Sequence, residues 1–141
     1  MVVQDTKQAA SRFEDLVVWQ KAHGLALSVY RLTADFPKSE IYGLVSQMRR
    51  AAVSVPANIV EGFHRRGSVE KVRFFNIAQG SLEELRYLVR LAADLQYGEE
   101  PSLREDIDLT GRLLGGYIRG VERRRSPSFR SPGSQLPSPS S

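Results

Sequence analysis

SQMRRAAVSVPANIVEGFHRR, residues Ser46 to Arg66, reads as one helix with a proline inside it and arginine pairs toward both ends. At 100° per residue, Ile41, Leu44, Val45, Met48, Ala52, Val55, Ile59 and Phe63 fall on one stripe suited to a bundle core. Val53, Pro56 and Val60 lie on its flank and widen the apolar arc to about 200°, where a surface helix needs about 100°. Exposed apolar surface of that extent marks an interface. The flank is therefore expected to pack on another copy of the chain, with Val53, Pro56, Val60, Asn58 and Glu61 at the contact. A neighbouring helix of the same bundle is the alternative cover. Pro56 removes the hydrogen bond to the Ala52 carbonyl and is expected to bend the helix.

Three more periodic segments surround this helix. EDLVVWQKAHGLALSVYRLTADF, Glu14 to Phe36, is stopped by Pro37, since the residue before proline is pushed out of the helical region. The quoted helix is expected to start near Glu40 and to end at Gly67 as a C′ glycine. Ser68 then caps a third helix that runs to about Gln96, in which Phe75, Ala78, Leu82, Leu85, Val89 and Ala92 step by three and four as in a packed bundle. Pro101, Ser102 and Glu105 form a capping-box pattern for a fourth. Its stripe is Leu103, Ile107, Leu114, Ile118 and Val121, ending at Arg123, Arg124 and Arg125. No segment alternates as a strand does. The expected architecture is an all-α, antiparallel up-down-up-down four-helix bundle over 13–125, with a flexible segment at 1–12 and a disordered Ser/Pro tail at 126–141.

The chain has 141 residues and no cysteine, which excludes disulfides, thiolate chemistry and nearly every common structural zinc site. No run of about 18 uncharged apolar residues occurs, and the N-terminal stretch has no charged region followed by an apolar core. A soluble, cytoplasmic protein with no membrane association is expected. Twenty Lys and Arg against sixteen Asp and Glu give a net charge of +4 and a pI near 9.7. The excess is carried by arginine, the better residue for phosphate forks and buried ion pairs.

The polar remainder of the quoted helix holds Gln47, Arg50, Ser54, Ala57, Asn58, Glu61 and Arg65, with an expected Glu61–Arg65 pair at i, i+4. Asn58 and Glu61 suit contacts with Arg49 or Arg50, and Glu83 and Glu84 suit pairs with Arg86, Arg90 or another helix. With Arg49, His64 and Arg66, this face becomes a basic ridge that could meet phosphates. Arg123, Arg124 and Arg125 also complement the negative end of a helix dipole. His23 and His64 sit on different helices without a ligand pattern, and the HExxH, Walker, GxGxxG and GxSxG motifs are absent. No enzymatic activity and no cofactor or metal is expected.

VWQKAHGLALSVYRLTADFP, YGLVSQMRRAAVSVPANIVEGFHRR and FFNIAQGSLEELRYLVRLAADLQY resemble, in order and spacing, the bacterial four-helix-bundle proteins first named as 23S rRNA-intervening sequence proteins. The resemblance covers about Phe13 to Arg125. It implies a ring-like homopentamer with a basic surface, and kinship with accessory variability determinants of diversity-generating retroelements, which bind reverse transcriptase and nucleic acid. It brings no catalytic residues. Among the matching positions, Gly62 and Gly80–Ser81 are expected to permit close helix approach.

The expected function is non-enzymatic binding of structured RNA, or RNA/DNA, by an oligomer, through phosphate contacts of Arg49, Arg50, Arg65, Arg66, Arg123, Arg124 and Arg125. The setting would be a reverse transcriptase partner or an rRNA context. Recognition would rest on backbone and shape, since no aromatic stacking platform is evident in the sequence. The alternative is a protein-only scaffold in which the same arginines pair with Glu61, Glu83 and Glu84 between subunits.

Overall fold

The structure, a computed structural model, describes residues 10–124. Most of the expected flexible start, Arg125 and the Ser/Pro tail lie outside the described residues. Four helices account for nearly all of the rest: α1 (Val17–Thr33), α2 (Leu44–Phe63), α3 (Ser68–Asp94) and α4 (Pro101–Arg123), with short 3-10 turns at Phe13–Asp15 and Lys38–Glu40. Among the described residues there is no strand. Each helix packs on its neighbour in sequence, and α1 closes the square against α4. The antiparallel register is visible in the side-chain partners. Gly62 meets Phe75 and Ser54 meets Ser81 between α2 and α3. Phe75 meets Tyr117 and Arg86 meets Asp108 between α3 and α4.

The apolar stripes read from the sequence form the core. All six residues of the α3 stripe and all five of the α4 stripe are buried, joined by Leu88 and Thr110. In α2 the core takes Leu44, Val45, Met48, Ala51, Ala52, Val55, Pro56, Ile59 and Gly62. This accounts for part of the width of its apolar arc. A corner helix of a square bundle faces two neighbours, α1 and α3, and so buries more of its circumference than a helix lying on one layer. Pro56 is thus a core residue and is not available as a subunit contact, and α2 runs unbroken through it. Ile41 is exposed and precedes the helix. Val53 remains exposed and Val60 half-buried.

The helix ends differ from expectation for local reasons. Instead of a continuous helix from Glu14, Leu16 is extended, so that the 3-10 turn folds Phe13 edge-on to Trp19 at 5.0 Å. At the other end Thr33 and Ala34 close α1, and Phe36 turns inward to meet Tyr97 at 5.7 Å. Gly67 is not a C′ residue: α2 stops at Phe63 with His64 as its C-cap, and Gly67, with extended backbone, is the N-cap of α3. Ser68 is therefore inside α3. Ser102 likewise lies within α4, whose N-cap is Glu100, and its hydroxyl donates to the Glu100 carboxylate at 2.9 Å, so the capping box does not form.

Glu40 lies before α2 and acts as its cap. One carboxylate oxygen accepts the Leu44 amide at 3.1 Å and the other accepts the Tyr97 hydroxyl at 2.8 Å, tying the α1–α2 and α3–α4 connections together. These two bonds, the backbone one first, hold the Glu40 carboxyl below its ordinary value of 4.5. A carboxylate depressed in the folded state stabilises above its unfolded pKa, and that contribution is lost as pH falls through the folded value. Glu40→Gln is therefore expected to lower the melting temperature at neutral pH, with the gap to wild type narrowing in acid below the ordinary value. Circular dichroism melts across that range check this, and a gap that stays constant with pH refutes it.

Candidate nucleic-acid interface

The antiparallel topology brings the end of α4 beside the α2–α3 turn, and so divides the predicted arginines into two groups. Arg65, Arg66, Arg123 and Arg124, all exposed, belong to this end of the bundle. Lys71 joins them from the first turns of α3. Its ammonium donates to the Phe63 carbonyl at 2.8 Å and the Gly62 carbonyl at 3.3 Å, so a cation from one helix caps the C-terminus of another. Burial, and then the nearby Arg124 charge, hold the Lys71 ammonium below its ordinary pKa. Two guanidiniums approach the Phe74 ring, Arg65 at 4.7 Å and Arg73 at 4.5 Å from its centre. Arg65 also pairs with Glu61 at 2.8 Å, as the spacing predicts, and Arg73 with Glu70 at 3.2 Å. Such exposed pairs contribute about 0–1 kcal/mol and are readily exchanged for a phosphate. Arg124 partly serves its own helix, donating to the Gly120 carbonyl at 3.3 Å. Arg125 lies outside the described residues.

Arg49 and Arg50 stand apart from that end, roughly 20 Å away at the helical rise of 1.5 Å per residue. Arg49 is not a free phosphate ligand. Its Nε donates to the Thr33 hydroxyl at 2.9 Å, one Nη donates to the Tyr30 carbonyl at 3.3 Å, and the guanidinium lies 4.4 Å from the centre of the Tyr30 ring. Thr33 is itself buried and donates to the Val29 carbonyl at 2.8 Å, so Arg49 completes a buried hydroxyl and pins α2 to α1. Arg50 is exposed and, among the described residues, holds only a long contact of 3.4 Å to Ser46.

Both arginines line an open groove of about 840 Å³ between α1, α2 and the turn that joins them. Tyr30, Lys38, Ile41, Tyr42 and Val53 also border it, and among the described residues no carboxylate does. Tyr42 is 96% exposed and Tyr30 45%. The groove thus contains the aromatic surface that was not evident from the sequence, because Tyr30 and Tyr42 lie on separate elements that only the fold brings together. Arg50 and Ser54 lead on to a second depression lined by Gln47, Ala51, Ser81 and Glu84.

Asn58 does not reach Arg49 or Arg50 and instead donates to the Ser54 carbonyl at 2.8 Å and the Ser54 hydroxyl at 3.0 Å, which is 2.7 Å from the Ser81 hydroxyl. This chain of hydrogen bonds fixes the α2–α3 contact. Gly62 allows the expected close approach, but Gly80 does not, since a Cβ there would meet nothing within 4 Å. Glu83 pairs with Arg86 at 3.1 Å and Arg86 also with Asp108, whereas Arg90 pairs with Asp94 at 3.0 Å. His23 stacks on Trp19 at 4.8 Å, and His64 Nδ1 lies 3.0 Å from the Val60 carbonyl, so that nitrogen carries the proton and donates. Among the described residues no helix is long and apolar enough to cross a membrane.

The family model described as 23S rRNA-intervening sequence protein matches residues 14–116, from the first 3-10 turn well into α4. A search of curated proteins gave no match.

Proposed function

The chain belongs to the 23S rRNA-intervening sequence protein family, and from that premise we propose that it is a non-enzymatic, cytoplasmic, homo-oligomeric helical bundle that binds structured RNA, or RNA/DNA, through arginine–phosphate contacts. A pentamer, and a role beside a reverse transcriptase or in an rRNA context, belong to the same proposal. The observation that carries it is the basic end of the bundle, where Arg65, Arg66, Arg123 and Arg124 are gathered from two distant parts of the chain and left exposed. The strip of α2 through exposed Val53 and Ala57 and half-buried Val60, with Glu61 at its edge, is the surface proposed for the subunit contact. One bundle with a few phosphate contacts binds weakly, and several copies joined together sum their arginines into one field and gain avidity. In the scaffold alternative the exposed Glu61–Arg65 and Glu83–Arg86 pairs would be exchanged for pairs between copies, and the charge-reversed variant below separates the two readings.

The test is fluorescence anisotropy of a labelled structured RNA at several salt concentrations, with the protein's mass followed by light scattering. Wild type is expected to bind with an affinity that falls steeply with salt, by about 0.9 logarithmic units per logarithmic unit of salt for each phosphate neutralised. R65E/R66E is expected to lose binding and keep the native mass. Loss of the native mass in the double variant would favour the scaffold, and salt-insensitive or absent wild-type binding would end the proposal.

A further inference from the structure

We propose that the groove between α1 and α2 holds an unpaired, single-stranded segment of RNA, with bases stacked on Tyr42 and on the Tyr30–Arg49 pair and phosphates held by Lys38 and Arg50. This rests on the reading of the protein as an RNA binder and extends it from backbone contact to base stacking. Isolated exposed aromatics are ordinary. Here two border one groove together with three cations and, among the described residues that line it, no carboxylate, so the surface is complementary to a polyanion that also carries flat, apolar faces. Alternating aromatic and cationic groups along a groove are the physical requirement for single strands, because every base has a π-face and every link a phosphate.

Tyr42 has no visible part in holding the fold. It is 96% exposed, while its neighbours Glu40, Gly43 and Leu44 make the hydrogen bonds that start α2. The Glu40 carboxylate, bonded to the Leu44 amide and the Tyr97 hydroxyl, lies close over Gly43, where a Cβ would stand 2.9 Å from it. Tyr42 is therefore presented from a hydrogen-bonded turn, and Arg49 is held over Tyr30, 4.4 Å from the ring centre, by its bonds to α1, so that ring and guanidinium together offer a surface on which a base can stack. A duplex cannot use either surface, because its bases are already stacked on one another inside the helix.

The experiment measures anisotropy of a short labelled oligouridylate, and separately of a labelled RNA duplex, against the full-length protein and its Tyr42→Ala and Tyr42→Phe variants, with mass by light scattering. Tyr42→Ala is expected to weaken oligouridylate binding about tenfold while duplex binding and mass stay as in wild type, and Tyr42→Phe is expected to bind like wild type. Unchanged oligouridylate affinity in Tyr42→Ala, with salt-dependent duplex binding intact, overturns the groove proposal and leaves the arginine reading standing. Equal losses on both RNAs, or in Tyr42→Phe as well, overturn stacking of unpaired bases. A changed mass in Tyr42→Ala makes the groove a contact between copies and overturns the proposal too. If wild type binds neither RNA, the broader RNA-binding reading fails with it.

Discussion

Gly62→Ala is expected to destabilise the bundle by about 2 kcal/mol, while Gly80→Ala is expected to stabilise it by about 0.5–1 kcal/mol. In an open helix any Gly→Ala change is favourable by about 1 kcal/mol, because alanine loses less backbone entropy on folding. Gly80 meets that condition: it lies inside α3, and a Cβ placed on it would have nothing within 4 Å. At Gly62 the same carbon would stand 2.4 Å from the edge of the Phe75 ring, with further ring atoms at 2.8 and 3.0 Å. The ring cannot retreat cheaply. Phe75 is completely buried, and Tyr117 packs against it at 5.0 Å. Overpacking of this kind costs about 1–3 kcal/mol and more than offsets the propensity gain. The Lys71 cap on the Gly62 and Phe63 carbonyls would shift with it. Thermal melts should place Gly62→Ala roughly 6–10 °C below wild type. Phe75→Leu, which removes the obstructing ring edge, should make the double variant less unstable than the two single losses summed. Additive losses would show that the ring is not the obstacle. A destabilising Gly80→Ala would show that another surface, such as a second copy, lies against α3 at that point.

The opposite signs at these two glycines mark how far the sequence could be read. A strict step of three and four in α3, and the Leu103 to Val121 stripe in α4, are enough to name the core, because helical periodicity converts directly into a buried face. Pairwise approach between helices is not periodic. Gly62 and Gly80 look alike in sequence, and only the α2–α3 register puts Phe75 opposite the first and nothing opposite the second. The wide apolar arc of α2 was ambiguous for a related reason: its excess could be covered by a copy or by a second neighbour in the same bundle, and the burial of Pro56 shows that part of it is covered internally. The helix ends depended on a few competing local bonds, as with Glu40, which caps α2 from outside it. The basic end was legible as residues but not as a place, since Arg124 becomes a neighbour of Lys71, and so of the α2–α3 turn, only once the bundle closes.

Arg49→Ala is expected to lower both stability and RNA affinity, and Arg50→Ala only affinity, although the two residues are adjacent and carry the same charge. Removing Arg49 deletes the 2.9 Å bond to the buried Thr33 hydroxyl, the bond to the Tyr30 carbonyl and the contact with the Tyr30 ring. A hydrogen bond from a charged group contributes about 1.5–3 kcal/mol and a partly exposed cation–π contact about 0.5–1 kcal/mol, so a loss of about 2 kcal/mol is expected after solvent replaces part of the pairing. Among the described residues Arg50 makes only the long contact to Ser46, and it lies exposed, so its removal should leave the melting temperature within the small range of ordinary surface changes. If it holds one phosphate, Arg50→Ala should also reduce the slope of log affinity against log salt by about one. Arg49→Lys separates charge from geometry. Lysine keeps the positive charge but cannot both reach Thr33 and lie flat on Tyr30, so the salt slope should survive while stability falls. Equal melting temperatures for Arg49→Ala and Arg50→Ala would show that Arg49 does not pin α2 to α1. An Arg50→Ala variant with wild-type affinity and salt slope would remove Arg50 from the nucleic-acid surface, leaving the basic end of the bundle to carry it.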